Sequence, residues 1–144
     1  MGTYVSQSDI TPGFVEQQHL VQLTQDTPGS DEVDTDVLDA VIAAAEAEVD
    51  GYLGVRYALP LPSAPPLVKS LAARLTVYRL HRRRPGTIGE DLQKDYDRVV
   101  KLLDRLADGT VTLGPQPEPT ENPERVIQST STEPVFGRAN LEDF

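Results

Sequence analysis

Residues 36–53 read DVLDAVIAAAEAEVDGYL. Leu38, Ile42, Ala45, Val49 and Tyr52 recur there at spacings of four, three, four and three. On a helix of 3.6 residues per turn this draws a single apolar stripe, with Val37, Val41 and Leu53 beside it. A helix of about five turns follows. Asp34, Thr35 or Asp36 can cap its first amides, and Gly54 is placed to end it in a left-handed conformation. Its other face carries Asp39, Glu46 and Asp50 with no basic residue four positions on. That face is therefore expected to meet solvent or a basic neighbour.

Working outward, Val55–Pro62 (VRYALPLP) holds two prolines among alternating bulky residues and reads as an extended connector. Ser63 then opens a second helix, with Pro65 and Pro66 tolerable only in its first turn. Val68, Leu71, Leu75 and Tyr78 give that helix its buried stripe. It runs into His81, Arg82, Arg83 and Arg84 and stops at Pro85-Gly86, so the cations sit where a helix C-terminus favours them. Thr87–Glu90 fits a capping box for a third helix, whose stripe is Leu92, Tyr96, Val99, Leu103 and Leu106. Asp108-Gly109 closes it. Thr110–Leu113 is a β-prone run between two glycines and would need a partner strand from elsewhere. Upstream, Ser8–Thr24 reads as two short helical pieces broken near Pro12-Gly13, with Ser8 as a cap. Gln25–Thr35 is an acidic loop turning at Pro28-Gly29.

The fold class expected is mainly α: a small bundle of three long helices with short N-terminal helices, a short β segment and an extended C-terminal arm. Residues 1–114 form the helical domain. Residues 115–144 form the arm, which holds five of the twelve prolines in 30 residues and has no helical or strand period. Val126 with Ile127, Val135 with Phe136, and Leu141 with Phe144 are apolar islands along it. Such spacing suits an arm that lies on another protein surface and orders on assembly. A passive solubilising tail is the competing reading.

Charge is segregated. Residues 1–55 carry eleven acids and no lysine or arginine, residues 56–114 eleven bases against six acids, and the arm six acids against two bases. The net charge is −10. Copies packing acidic half against basic half would use this pattern, unless the fold mixes the segments into an ordinary surface. There is no cysteine, so disulfides, thiolate metal sites and cysteine nucleophiles are excluded. No apolar run reaches the roughly 18 residues of a membrane span, and the start of the chain has no signal-like pattern; a cytoplasmic place of synthesis is expected.

Signals for catalysis are weak. His19 and His81 are the two histidines, and neither stands in a nucleophile or metal-ligand spacing. The acidic loop fails as a calcium loop: counted from Asp26, Pro28 takes position 3, Asp31 the glycine position, and Val37 that of the closing glutamate. Phosphate-binding glycine loops are missing. Arg79, Arg82, Arg83 and Arg84 form a basic helix end, but without interleaved aromatics they suit salt bridges to protein better than nucleic-acid recognition. No enzyme, cofactor or metal is expected.

Three stretches in order resemble a phage family: DGYLGVRYALPL (Asp50–Leu61), the Pro-Pro helix with Tyr78-Arg79-Leu80, and DGTVTLG (Asp108–Gly114). They are similar to the Mu-like gp36 family of head-tail connector, or neck, proteins, over about residues 1–114. In the first stretch Tyr52, Arg56, Tyr57, Leu59, Pro60 and Leu61 match as the structural connector. The resemblance implies a ring, commonly of twelve copies, between a portal protein and a tail-side neck or terminator protein in the virion. DNA would be passing cargo, and no membrane is implied. Portal or inter-subunit contact is expected from Arg79, Arg82, Arg83, Arg84 and the arm's Val126, Ile127, Val135, Phe136, Leu141 and Phe144. Asp39, Glu46 and Asp50 are expected to face the lumen, where carboxylates would repel DNA and let it slide. The alternative is a small helical adaptor or tail-assembly chaperone acting as monomer or dimer.

Overall fold

The computed structural model describes residues 2–114 except 27, 28, 30, 85 and 87. The arm and its apolar islands lie outside the described residues. Five helices follow one another: α1 (Gln7–Ile10), α2 (Gln17–Thr24), α3 (Thr35–Leu53), α4 (Pro66–Arg83) and α5 (Glu90–Asp108). The three long helices pack on one another, α3 with α4 most extensively, and the two short ones close over α4 and α3.

The stripes read from the sequence make the core. Leu38, Ile42, Ala45, Val49 and Leu53 of α3 meet Val68, Leu71, Ala72, Leu75 and Leu80 of α4, and α5 adds Val99, Leu103 and Leu106. Leu53 is fully buried while Tyr52 is half-buried, because the stripe of a straight helix drifts between the two positions over four turns. Ile10, Leu20 and Leu23 complete the core from the short helices.

The ends of the helices differ from expectation in instructive ways. Asp34 caps α3 through its side chain, accepting from the Val37 amide at 3.1 Å. Gly54, however, is right-handed at φ −60°, since the chain continues a tight turn there in which the Arg56 and Tyr57 amides bond the Leu53 carbonyl. At α1 the cap is Ser6, not Ser8. Ser6 and Asp9 form a reciprocal capping box, and the two bonds from Ser6 hold the Asp9 carboxyl below the usual range. Helix α4 starts at Pro66 rather than Ser63, and α5 starts at Glu90 behind Gly89, with no side-chain cap. Asp108-Gly109 closes α5 as expected, Gly109 being left-handed at φ +79°.

The expected β segment does not form, and no strand occurs among the described residues. The Val111 amide donates to the Arg105 carbonyl at 3.0 Å, and the Leu113 amide donates to the Tyr57 phenol at 3.2 Å. Amides that a partner strand would take are thus satisfied within the chain.

Candidate interaction surface

The basic end of α4 is divided among three tasks. Arg79 reaches back to α3, its Nη2 lying 2.6 Å from Glu48 Oε2. Arg83 turns to the loop after α2 and meets both carboxylate oxygens of Asp26, at 2.8 and 3.0 Å, and the Leu23 carbonyl at 3.4 Å. Arg84 donates to the Gln25 carbonyl. Arg82 is exposed and makes no ion pair among the described residues. Arg83 and Arg84 therefore clamp α2 and its loop to α4, which leaves Arg82 as the most available of the four for an outside partner.

Between the three long helices runs an open groove of about 380 Å³. Ala40, Val41, Ala44 and Glu48 form its α3 wall, Tyr78, Arg79, Arg82 and Arg83 its α4 wall, and Tyr96 reaches in from α5. The Tyr78 and Tyr96 rings stack, with centroids 4.1 Å apart and planes 16° from parallel. Burial, and after it the Glu48 carboxylate, raises the Tyr96 phenol above its ordinary pKa. The groove thus joins a flat aromatic floor and small apolar side chains to three guanidiniums and one carboxylate. On its other side α4 sets His81 edge-on to His19 of α2, with ring centroids 5.2 Å apart. His81 Nδ1 lies 2.9 Å from the Val77 carbonyl.

The acidic face of α3 is not what its sequence suggested. Glu46 turns inward and is 6% exposed. Its carboxylate accepts the backbone amides of Thr3, Tyr4 and Val5 at 2.7, 2.7 and 2.8 Å. A buried carboxylate needs such donors, and only the backbone is close enough to supply them. Gly2 passes so near that a Cβ there would strike the Glu46 carboxylate and Ile42. Asp50 is half-buried and accepts from the Tyr4 phenol at 2.7 Å. Burial first, then that bond, pushes the Tyr4 phenol up to about 12. Glu46 is therefore removed from any lumen-facing set and Asp50 is engaged in packing. Asp39 stays exposed, and so does Asp36 one turn before it.

The connector after α3 ties the end of α3 to the end of α5. Arg56 Nη1 donates to the Asp108 carbonyl at 3.1 Å, at the end of α5 where the helix dipole attracts a cation. Tyr57 is buried and receives the Leu113 amide. Tyr52 and Leu61 pack against the core, while Leu59 and Pro60 are exposed. Two stretches that stood more than 50 residues apart in the sequence reading are thus in direct contact.

The family model described as "Bacteriophage Mu, Gp36" matches residues 4–130. The chain belongs to this Gp36 family. It is 30% identical to "Gene product J" of Escherichia phage Mu over 137 residues, covering 94% of each chain. It is 25% identical to "Mu-like prophage FluMu protein gp36" of Haemophilus influenzae over 118 residues, covering 81% of this chain and 82% of that one. This is a bacteriophage protein, and among its described residues no helix is long and apolar enough to cross a membrane. In this Gp36 chain the first and third of the stretches that carried the resemblance meet at the Arg56–Asp108 and Tyr57–Leu113 contacts. Sequence reasoning missed the inward role of Glu46, although a signal was present. Glu46 falls four residues after Ile42, three before Val49 and seven before Leu53, on the buried stripe itself. The stacked tyrosine floor had no comparable signal, since it needs the packing of α4 on α5.

Proposed function

We propose that this Gp36-family chain is a head-tail connector subunit, one copy of a closed ring between a portal protein and a tail-side neck protein. Family membership over 127 matched positions, residues 4–130, is the observation that carries this reading. The fold supports it. A rigid three-helix body with a pinned N-terminal segment suits a building block that must hold its shape under load. Exposed charge is mixed by the fold: Arg82 and Arg83 line the same groove as Ala40 and Val41, close to Asp36 and Asp39, and exposed acids and bases intermingle along α5. Of the acids expected at the lumen Asp39 is exposed, and, with exposed Asp36 one turn before it, would keep passing DNA from sticking. The chain works as a structural part, without catalysis or cofactor, in the neck of the virion.

Electron microscopy of the full chain bound to its portal tests this. A closed ring coaxial with the portal, in register with its copy number, is expected. A monomer or dimer bound off-axis, or no portal binding, would overturn it. A positive bore on the ring would remove Asp36 and Asp39 from the lumen.

A further inference from the structure

The groove between α3, α4 and α5 is apolar on its floor and cationic on its rim, so its occupant should pair apolar side chains with carboxylates. We propose that it seats residues 141–144, Leu-Glu-Asp-Phe, from the arm of the neighbouring copy. This deepens the ring reading above and rests on it.

Three observations select that segment. The first is charge. Arg79 is paired with Glu48 and Arg83 with Asp26, which leaves Arg82 as the exposed cation of the groove without an ion pair among the described residues, so an anionic peptide gains where a neutral one does not. Among the arm's three apolar islands, Val126-Ile127 follows Arg125, and Val135-Phe136 stands two residues before Arg138. Leu141 and Phe144 enclose two acids and no base. The second is shape. Half-buried Tyr96, backed by the buried Tyr78, brings an aromatic side chain to the groove for the Phe144 ring, and the wall of Ala40 and Ala44 leaves room for Leu141.

The third is reach. Gly114 follows the Leu113 contact with Tyr57, near the C-terminal end of α3. The groove lies nine to thirteen residues back along that helix, at Ala44 and Ala40, or about 14 to 20 Å away. Between Gly114 and Leu141 are 27 steps of chain, able to span about 90 Å when extended. A body of this size is about 35 Å across, so the segment is long enough for its own groove and also for that of the next copy, which the ring reading selects. In a closed ring each groove then receives one arm and each arm fills one groove, which links every copy to the next.

The absence of cysteine from the chain gives a clean test. Full-length Ala44→Cys and Leu141→Cys chains are mixed under assembly conditions and oxidised mildly, and covalent heterodimers are measured on denaturing gels. The expected yield exceeds that of a Lys101→Cys plus Leu141→Cys mixture by about tenfold or more, since docking raises effective concentration. Adding Glu142→Lys and Asp143→Lys to the Leu141→Cys chain should remove most of that excess. Yield no better than the Lys101 control overturns the proposal. So does a disulfide formed only within a doubly substituted Ala44→Cys, Leu141→Cys chain, which would place the segment in its own groove. Micrographs of the same samples separate the two claims. Rings without the crosslink sink this inference and leave the connector reading intact, whereas the crosslink without rings sinks the connector reading.

Discussion

Glu46 shows how one side chain can fix the start of the chain to a helix 40 residues away. Its carboxylate serves three consecutive amides, those of Thr3, Tyr4 and Val5, while the Tyr4 phenol beside it donates to Asp50. Replacing Glu46 by Gln keeps the volume but turns an amino group toward one of those amides, leaving a buried donor unpaired. Glu46→Gln should therefore destabilise the protein by about 2 kcal/mol, read as a lower urea midpoint with unchanged helical content. Tyr4 gives a pH prediction. Its folded pKa is raised from 10.0 to about 12, so the unfolded chain loses this proton first. The stabilisation is complete below pH 10 and is lost as pH climbs toward 12. Tyr4→Phe removes the titrating group, and the alkaline fall in stability should become shallower in denaturant titrations across that window. An unchanged alkaline limb would mean that Tyr4 titrates normally and the bond to Asp50 is not kept in solution.

Among the elements, α5 depends on a partner far from it in sequence. Its last carbonyls receive Arg56 from the connector, and Gly109 is left-handed where any Cβ would collide with the Arg56 guanidinium. Gly109→Ala should cost about 1–2 kcal/mol from the positive φ and this clash together. Arg56→Ala should cost about 0.5–1 kcal/mol through loss of the cation at the helix end. In the double variant the clash is gone, so the two effects should sum to less than the parts in a double-mutant cycle of thermal unfolding. Full additivity would place the guanidinium away from Gly109. The same region shows what the sequence could reveal and what it could not. The bodies of α3, α4 and α5 were legible because an apolar period is a local property of each segment, and so was the cap of Asp34. Thr110–Leu113 looked strand-like on residue preference alone, but Tyr57, 56 residues earlier, takes the Leu113 amide. The cap of α1 went to Ser6 because Asp9 stands three residues after it and answers in kind. Of the candidate site, the basic end of α4 was legible as a cluster. Its division into two clamps and one exposed arginine was not, because Glu48, Asp26 and Gln25 meet it only after α2 and α3 pack on α4.

At the scale of the whole molecule the core draws its buried residues from Tyr4 to Leu106, and the connector closes the far end through Tyr57 and Leu113. Apolar burial is what chiefly stabilises a chain without cysteine, and the helical body holds a large share of it. A chain ending at Gly114 should therefore keep a cooperative unfolding transition, with its midpoint within about 4 °C of the full chain. On the connector reading proposed above, the arm contributes to assembly. Limited proteolysis of the free full chain should trim it back to about Gly114 and leave the body, whereas the portal-bound ring should protect it. The shortened chain should fold yet assemble poorly, with ring occupancy in micrographs falling well below that of the full chain. A large drop in the midpoint would instead make the arm part of the folded body. Equal trimming of free and assembled protein would leave the arm without a seat in the ring, and the contact between copies would then rest on the helical faces alone.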